Sequence, residues 1–309
     1  EGIQGLVIDL RNNGGGSLQT VVDMAGFFIN EGPVVQVKTS DSGSKVLKDR
    51  DGKTLWDGPL VVMVNELSAS ASEILAAAMQ DYERAVVLGS KQTFGKGTVQ
   101  NIIELNRFVS KSTYGDLGAL KFTTEKFYRI TGKSTQLEGV YSDVVAPDQY
   151  AYVDIGEKDE VNPLVWDQIS SASFNKWDGY QNYQQVIEDS AARVARDTFF
   201  QLIDKNAKWV RAQQDKNDFS LNYKLFSNEI DKDETFADQF EILNKYSNSL
   251  TFKSLPYELS KMKTDTILAE KRNRWKKSLN KDMYINEAVF ILQALDLNFI
   301  SKKPLALQR

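Results

Sequence analysis

Three short segments carry residue types that could do covalent chemistry. The first is Leu10-Arg11-Asn12-Asn13-Gly14-Gly15-Gly16, between a strand-like run and a helix-like one. Glycines there free backbone N–H groups for close approach to an anion, next to a helix N-terminus that favours negative charge. Plain turn geometry and a phosphate loop are competing readings. The second is Asn65-Glu66-Leu67-Ser68-Ala69-Ser70-Ala71-Ser72-Glu73, directly ahead of an alanine-rich helix. Ser70 to Glu73 fits the Ser-x-x-Glu capping box, yet a serine at a helix start flanked by small alanines also suits a nucleophile. Position alone does not separate the two. The third is Thr93-Phe94-Gly95-Lys96-Gly97-Thr98-Val99-Gln100. It fails as a nucleotide P-loop, because five residues separate Gly89 from Gly95 and Lys96 is followed by glycine. A lysine between glycines instead favours close backbone approach and burial of the amine, and burial lowers a lysine pKa towards the range of a general base. Taken together, the segments supply a nucleophile, an amine base and N–H donors for a tetrahedral oxyanion, the set needed for acyl transfer.

Composition narrows the alternatives. The chain has 309 residues, no cysteine and no histidine. Disulfides, thiolate zinc sites, cysteine nucleophiles and imidazole bases are therefore excluded within it, and a serine nucleophile here needs a different base. Apolar content of 41%, charged content of 26% and net charge −4 describe a globular chain with no polyanion bias. Nucleic acid is not an expected partner. No run of about 18 apolar residues offers a membrane span. The chain opens at Glu1 without an initiator Met or a basic-then-apolar leader, which reads as a fragment.

The elements that must position these residues fall into two halves. Ile3–Leu10, Val34–Lys38, Leu60–Asn65 and Ala85–Leu88 read as short buried strands, with helices over Leu18–Phe28 and Ala69–Met79 as crossovers. Ile102–Leu105, Leu120–Tyr128 and Val140–Val145 read as further strands that make the sheet mixed or partly antiparallel. After about residue 156 the pattern turns to long amphipathic helices: one face runs through Ile187, Ala191, Val194, Thr198 and Leu202, and others cover Asp233–Tyr246, Tyr257–Lys277 and Ile285–Leu295. The charge runs Lys261–Lys277 and Asp231–Glu234 read as solvated helix surface. Gly156–Pro163 is the natural boundary, giving an α/β core over residues 1–155 and an all-α region over 156–309. No internal repeat is evident.

With these residues in view, the sequence resembles the C-terminal processing, or tail-specific, peptidases, which are Ser-Lys enzymes. The resemblance rests on the Asn-Asn-Gly-Gly-Gly turn, on Ser68-Ala69-Ser70-Ala71-Ser72-Glu73-Ile74, on Ala76-Ala77-Ala78-Met79-Gln80-Asp81-Tyr82 and on Thr93 to Gln100, with weaker support from Phe122–Gly132 and Gly139–Pro147. It implies a crotonase/ClpP-like core, Ser70 as nucleophile, Lys96 as base, and Gln100 as the residue orienting Lys96. Ser68 and Ser72 become structural neighbours. The oxyanion donors implied are the N–H of Ala71 and that of Gly16, with Gly15 second. Asp81 also matches a family position, though an ion-pairing or capping role explains it more simply. The Ser70 to Lys96 interval is one residue longer than the family's, through Gly89-Ser90-Lys91-Gln92. The helical half resembles the C-terminal extension of Gram-negative tail-specific members, while the PDZ domain and N-terminal region expected of the family are absent from this chain.

By that resemblance the expected activity is endoproteolysis of proteins marked by apolar C-terminal tails, in the periplasm or cell envelope, with an envelope adaptor protein as a further expected partner, and with no metal or organic cofactor. The rival expectations are a silent peptidase-like scaffold binding envelope proteins, and an acyl-CoA enzyme of the crotonase type.

Overall fold

The computed structural model describes residues 2–39, 43–109 and 115–300; the expected outer limits at residues 1 and 309 lie outside them. The first half contains two sheets. β1 (Leu6–Asp9), β4 (Leu60–Val64), β5 (Val86–Gly89) and β8 (Val144–Val145) form a parallel sheet in that order. β2 (Gly32–Thr39), β3 (Ser44–Asp49), β6 (Thr98–Glu104) and β7 (Ala119–Tyr128) form an antiparallel one ordered β3-β2-β7-β6. The parallel and antiparallel pairings expected within one sheet are thus divided between two. α1 (Leu18–Gly26) and α2 (Ala71–Asp81) pack on one face of the parallel sheet and meet the antiparallel sheet on their other side.

The parallel sheet is covered on both faces, which is why β4 reads as an unbroken apolar run. Leu60, Val62 and Val64 face the core containing α1 and α2. Val61 and Met63 face a second core built from α3 (Tyr183–Arg196) and α8 (Met283–Leu297). Ala288, Ile291 and Leu295 of α8 are fully buried there. The helical half therefore completes the core sheet. Glu287 of α8 reinforces this layer by accepting from Ser190 Oγ (2.6 Å) and Arg193 Nη2 (2.7 Å) of α3.

Helices begin later than the change of pattern near residue 156 suggests. Residues 160–182 instead form an extended strap along the core, through Ile169 N–H to Gly132 O (2.9 Å), Ala172 N–H to Ile130 O (2.8 Å) and Trp177 N–H to Tyr82 O (2.9 Å). The single face expected from Ile187 to Leu202 is broken at Asp197. Its Oδ1 accepts from Phe199 N (2.8 Å) and Phe200 N (3.2 Å), capping α4 (Thr198–Gln214) as a separate helix. The span Tyr257–Lys277 likewise divides into α6 (Pro256–Met262) and α7 (Thr266–Asn280), with Asp265 capping the second. The helix expected at Asp233–Tyr246 is α5 (Tyr223–Asp238) followed by a 3₁₀ turn over Gln239–Lys245. Of Val140–Val145 only the two residues of β8 pair as strand, and β3 had no counterpart among the expected strands. Among the described residues no helix is long and apolar enough to cross a membrane.

Shared burial makes the two halves one cooperative unit. Ile291→Ala, which empties a fully buried position facing the sheet, is expected to cost roughly 2–5 kcal/mol. Urea unfolding followed at once by a signal from each half should show a single, coincident and lowered transition.

Candidate active site

The parallel strands β1 and β4 end side by side, so the turn after β1 and the turn before α2 start as neighbours. Asn12, at φ 59°, donates its N–H to Asn65 Oδ1 (2.8 Å), and Asn65 Nδ2 donates back to Asn12 Oδ1 (2.9 Å). Asn13 O then accepts from Ala69 N (3.0 Å) and from Ser72 Oγ (3.0 Å). Ser68 Oγ donates to Leu10 O (2.8 Å) and accepts from Asn65 N (2.9 Å). Ser68 and Ser72 are buried ties between the two turns, while half-buried Ser70 between them is not drawn into that network.

Ser70 sits at the N-cap of α2 with φ 57° and ψ −114°, in backbone space that costs a non-glycine residue of order 1–3 kcal/mol. An ordinary cap residue is extended. The conformation is imposed from several sides, and Gly15 is one of them: at φ 104°, a Cβ there would lie 2.7 Å from Ala69 O, 2.8 Å from Ser70 Cβ and 2.9 Å from Ala71 N. The Gly15 N–H is taken up by Asn13 Oδ1 (2.9 Å). Gly16 makes no such bond among the described residues, and a Cβ on it would meet only open space.

Glu73 binds this nucleophile-type turn to the lysine segment. Its side chain is fully buried and accepts four hydrogen bonds: Oε2 from Ser70 N (2.7 Å) and Lys96 N (3.1 Å), Oε1 from Thr93 Oγ1 (2.6 Å) and Gly95 N (2.7 Å). Thr93 Oγ1 is itself oriented by accepting from Val140 N (2.8 Å). Burial pushes the Glu73 carboxyl up to about 7, against the four hydrogen bonds, which favour the anion. Sequence reasoning saw Glu73 only as half of a capping box. The box does exist on the Ser70 N–H side, but the other three donors come from a segment about twenty residues away.

The glycines beside Lys96 are required by backbone contact, as expected. A Cβ on Gly97 would lie 2.6 Å from Gln136 N, and one on Gly95 3.0 Å from Leu137 C. Gln136, buried and unanticipated, holds this contact by accepting from Gly97 N (2.9 Å). The Lys96 side chain itself is half-buried, so the sealed amine expected from its glycine neighbours is not formed by this chain alone. Its Nζ donates to Gln100 Oε1 at 3.2 Å, and a bulge at Val99/Gln100 interrupts the β6–β7 register at this point. Gly15 thus packs on Ser70 and Ala71 at the start of α2, the Lys96 backbone meets Ser70 through Glu73, and Gln100 meets the Lys96 amine.

Asp81 is not part of that group. It lies eleven residues further along α2, roughly 16 Å away by helical rise. There it receives Arg129 Nη2 (2.5 Å) and Nε (3.1 Å) in a mostly buried pair that fastens the helix end to the chain just after β7. A cavity of about 740 Å³ lies at the C-terminal ends of β1, β4 and β5, lined by Arg11, Asn12, Asn65, Ser90 and Asp148, and covered by the helical half. Neither Ser70 nor Lys96 lines it.

Two measurements follow from this packing. Gly15→Ala should lower the melting temperature well beyond any effect of Gly16→Ala, since only the former collides with Ser70. Glu73 should also give stability a pH slope. Its folded value of about 7 exceeds the 4.5 of the free group, so the folded state binds the proton more tightly. That stability is fully present below about 4.5 and lost as pH rises through about 7, an effect of order 3 kcal/mol at ~1.4 kcal/mol per unit. Unfolding free energies at pH 5 and pH 8 should show this slope, and Glu73→Gln should remove it.

Residues 1–146 match peptidase family S41, and residues 150–296 match the C-terminal domain of tail specific protease. The tail-specific protease of Haemophilus influenzae is 42% identical over 75% of this chain and 34% of its own length. A carboxy-terminal-processing protease of Bartonella bacilliformis is 37% identical over 50% of this chain and 34% of its own. The solved photosystem II D1 C-terminal processing protease aligns over 47% of this chain and 35% of its own at 33% identity, with a TM-score of 0.40. The chain spans about a third of the length of the curated relatives it matches. Its two consecutive matches leave only residues 147–149 between them, and on that ground the chain belongs to peptidase family S41 and carries the C-terminal domain of tail-specific proteases.

Proposed function

We propose that this chain carries the catalytic centre of a serine endopeptidase that cleaves proteins presenting apolar C-terminal tails. One observation carries the reading: Ser70 N and Lys96 N donate to the same oxygen of Glu73, so one buried carboxylate fixes the nucleophile's backbone relative to the base's. In the reaction, neutral Lys96 Nζ takes the proton of Ser70 Oγ as that oxygen attacks the scissile carbonyl. The tetrahedral oxyanion is received by the N–H of Ala71, at the first position of α2, and by that of Gly16. Gly15 is the weaker candidate because its N–H is already engaged by Asn13. Lys96 then gives its proton to the leaving amine, and the acyl-enzyme forms. Water attacks the ester with Lys96 again as base, releasing Ser70. Gln100 Oε1 holds the amine in line through both transfers. A bound peptide lying over half-exposed Lys96 would exclude the remaining water from the pair.

Apolar-tailed proteins as substrates, a periplasmic or envelope location and a protein adaptor are further parts of the same proposal; the names of the relatives and the second domain support the part that concerns protein tails. The test is cleavage, in the full-length protein, of an unfolded substrate with an apolar C-terminus and of the same substrate ending in charged residues. Ser70→Ala and Lys96→Ala should each lose on the order of 10³-fold or more in rate while remaining folded. Gln100→Ala should lose less. A Lys96→Ala variant as fast as wild type would eliminate the lysine base, and equal rates on the two tails would eliminate tail recognition.

A further inference from the structure

Arg11 stands between the last residues of β1 and the glycine turn, and it is shared by two carboxylates from opposite ends of the chain. Its Nε and Nη2 donate to Asp9 Oδ1 (2.9 Å) and Oδ2 (2.7 Å), while Nη2 and Nη1 also reach Asp282 Oδ2 (2.7 Å) and Oδ1 (3.4 Å). The guanidinium lies 5.4 Å from the centre of the Tyr284 ring. The Arg11 and Asp282 side chains are each only 18% exposed, so this is a partly desolvated, charge-assisted contact of the stronger kind. Asp282 is held in turn, because Oδ1 caps α8 by accepting from Tyr284 N (3.0 Å) and Ile285 N (3.2 Å). Tyr284 Oη donates to Pro147 O (2.6 Å), which anchors the start of α8 to the chain beyond β8.

On its other side Arg11 is followed at once by Asn12, locked to Asn65, and by Asn13, whose carbonyl receives Ala69 and Ser72. The glycine turn is thus gripped by the nucleophile turn at one end and by the helical half at the other. We propose that Asp282 is a positioning residue for the reaction: through Arg11 it sets the placement of the glycine turn, and hence of the oxyanion donor, relative to Ser70. This deepens the proposed peptidase function and rests on it. The helical half then acts on the rate of the chemical step, by a contact that touches neither substrate nor nucleophile.

The test separates this contact from the helix cap that the same side chain provides. Asp282→Ser retains a capping oxygen but is too short for Arg11, and Asp282→Asn retains both the cap and a neutral bond. Asp197→Ala removes the cap of α4, a helix that shares no hydrogen bond with Arg11 or Asp282. In the full-length protein, with a fluorogenic peptide substrate, Asp282→Ser is expected to lower kcat roughly ten- to hundredfold, the scale of a small misplacement, with KM within twofold of wild type. Acylation by a fluorophosphonate should slow in parallel. Asp282→Asn should recover part of the loss, and Asp197→Ala should keep the wild-type kcat despite a lower melting temperature. Wild-type kcat in Asp282→Ser, or an equal loss in Asp197→Ala, overturns the inference while leaving the peptidase reading intact. Wild-type cleavage no faster than Ser70→Ala overturns both.

Discussion

The active-site region depends on one carboxylate with no exposed surface. Glu73 sits in the first turn of α2 and gathers four donors from two separate segments onto its two oxygens. Leaving those donors unpaired in a buried setting would cost far more than each bond contributes when made. The arrangement is therefore close to all-or-none: the nucleophile turn and the lysine segment are ordered together. It also explains how Ser70 keeps a positive φ. The strain there is held by the Gly15 contact, by the Glu73 bond to its own N–H and by the buried serines on either side.

Around that centre, each supporting layer limits a different freedom. The parallel sheet fixes where the turns begin, since β1 and β4 end in register. The Asn12–Asn65 pair fixes the spacing of the turns. Gln136, Thr135 and Leu137 hold the lysine segment from below, through Gly97 N, Lys96 O and Gly95 O. What remains adjustable is the Lys96 side chain, on the open side with Gln100. Lys96, the proposed proton carrier, is thus half-exposed beside exposed Gln100, while Glu73, Thr93, Gly95 and Gly97 around its backbone are buried.

Much of this was legible in the sequence because it is local. A glycine run after a strand, a serine at the start of an alanine-rich helix and a lysine between glycines each carry their own signature. The β4 run read as a buried strand in the same way. What escaped was relational. Glu73 satisfies a capping rule so well that nothing in the sequence points to its three other donors. Gln136 is an ordinary polar residue until Gly97 is seen against it. The breaks at Asp197 and Asp265 were hidden because the apolar spacing runs through them, although an aspartate followed by a helix-forming stretch is itself a cap signal. The strap at 160–182 has no periodicity, because its partners are loop carbonyls and the chain after β7. Lys96 shows the opposite error: its neighbours are as close as expected, but they enclose its backbone and not its amine.

The second core has a temporal side. The face of the parallel sheet formed by Val61, Met63, Val86 and Leu88 is closed by α3, about a hundred residues further along, and by α8, about two hundred further. As the chain emerges during synthesis, the strands bearing the turns of the candidate site are complete long before that face is covered. Contacts of such long sequence separation form late, since the loop between them must first be closed. A chain assembled in this order holds the turns that carry Ser70 and Lys96 in an unfinished scaffold until α8 docks.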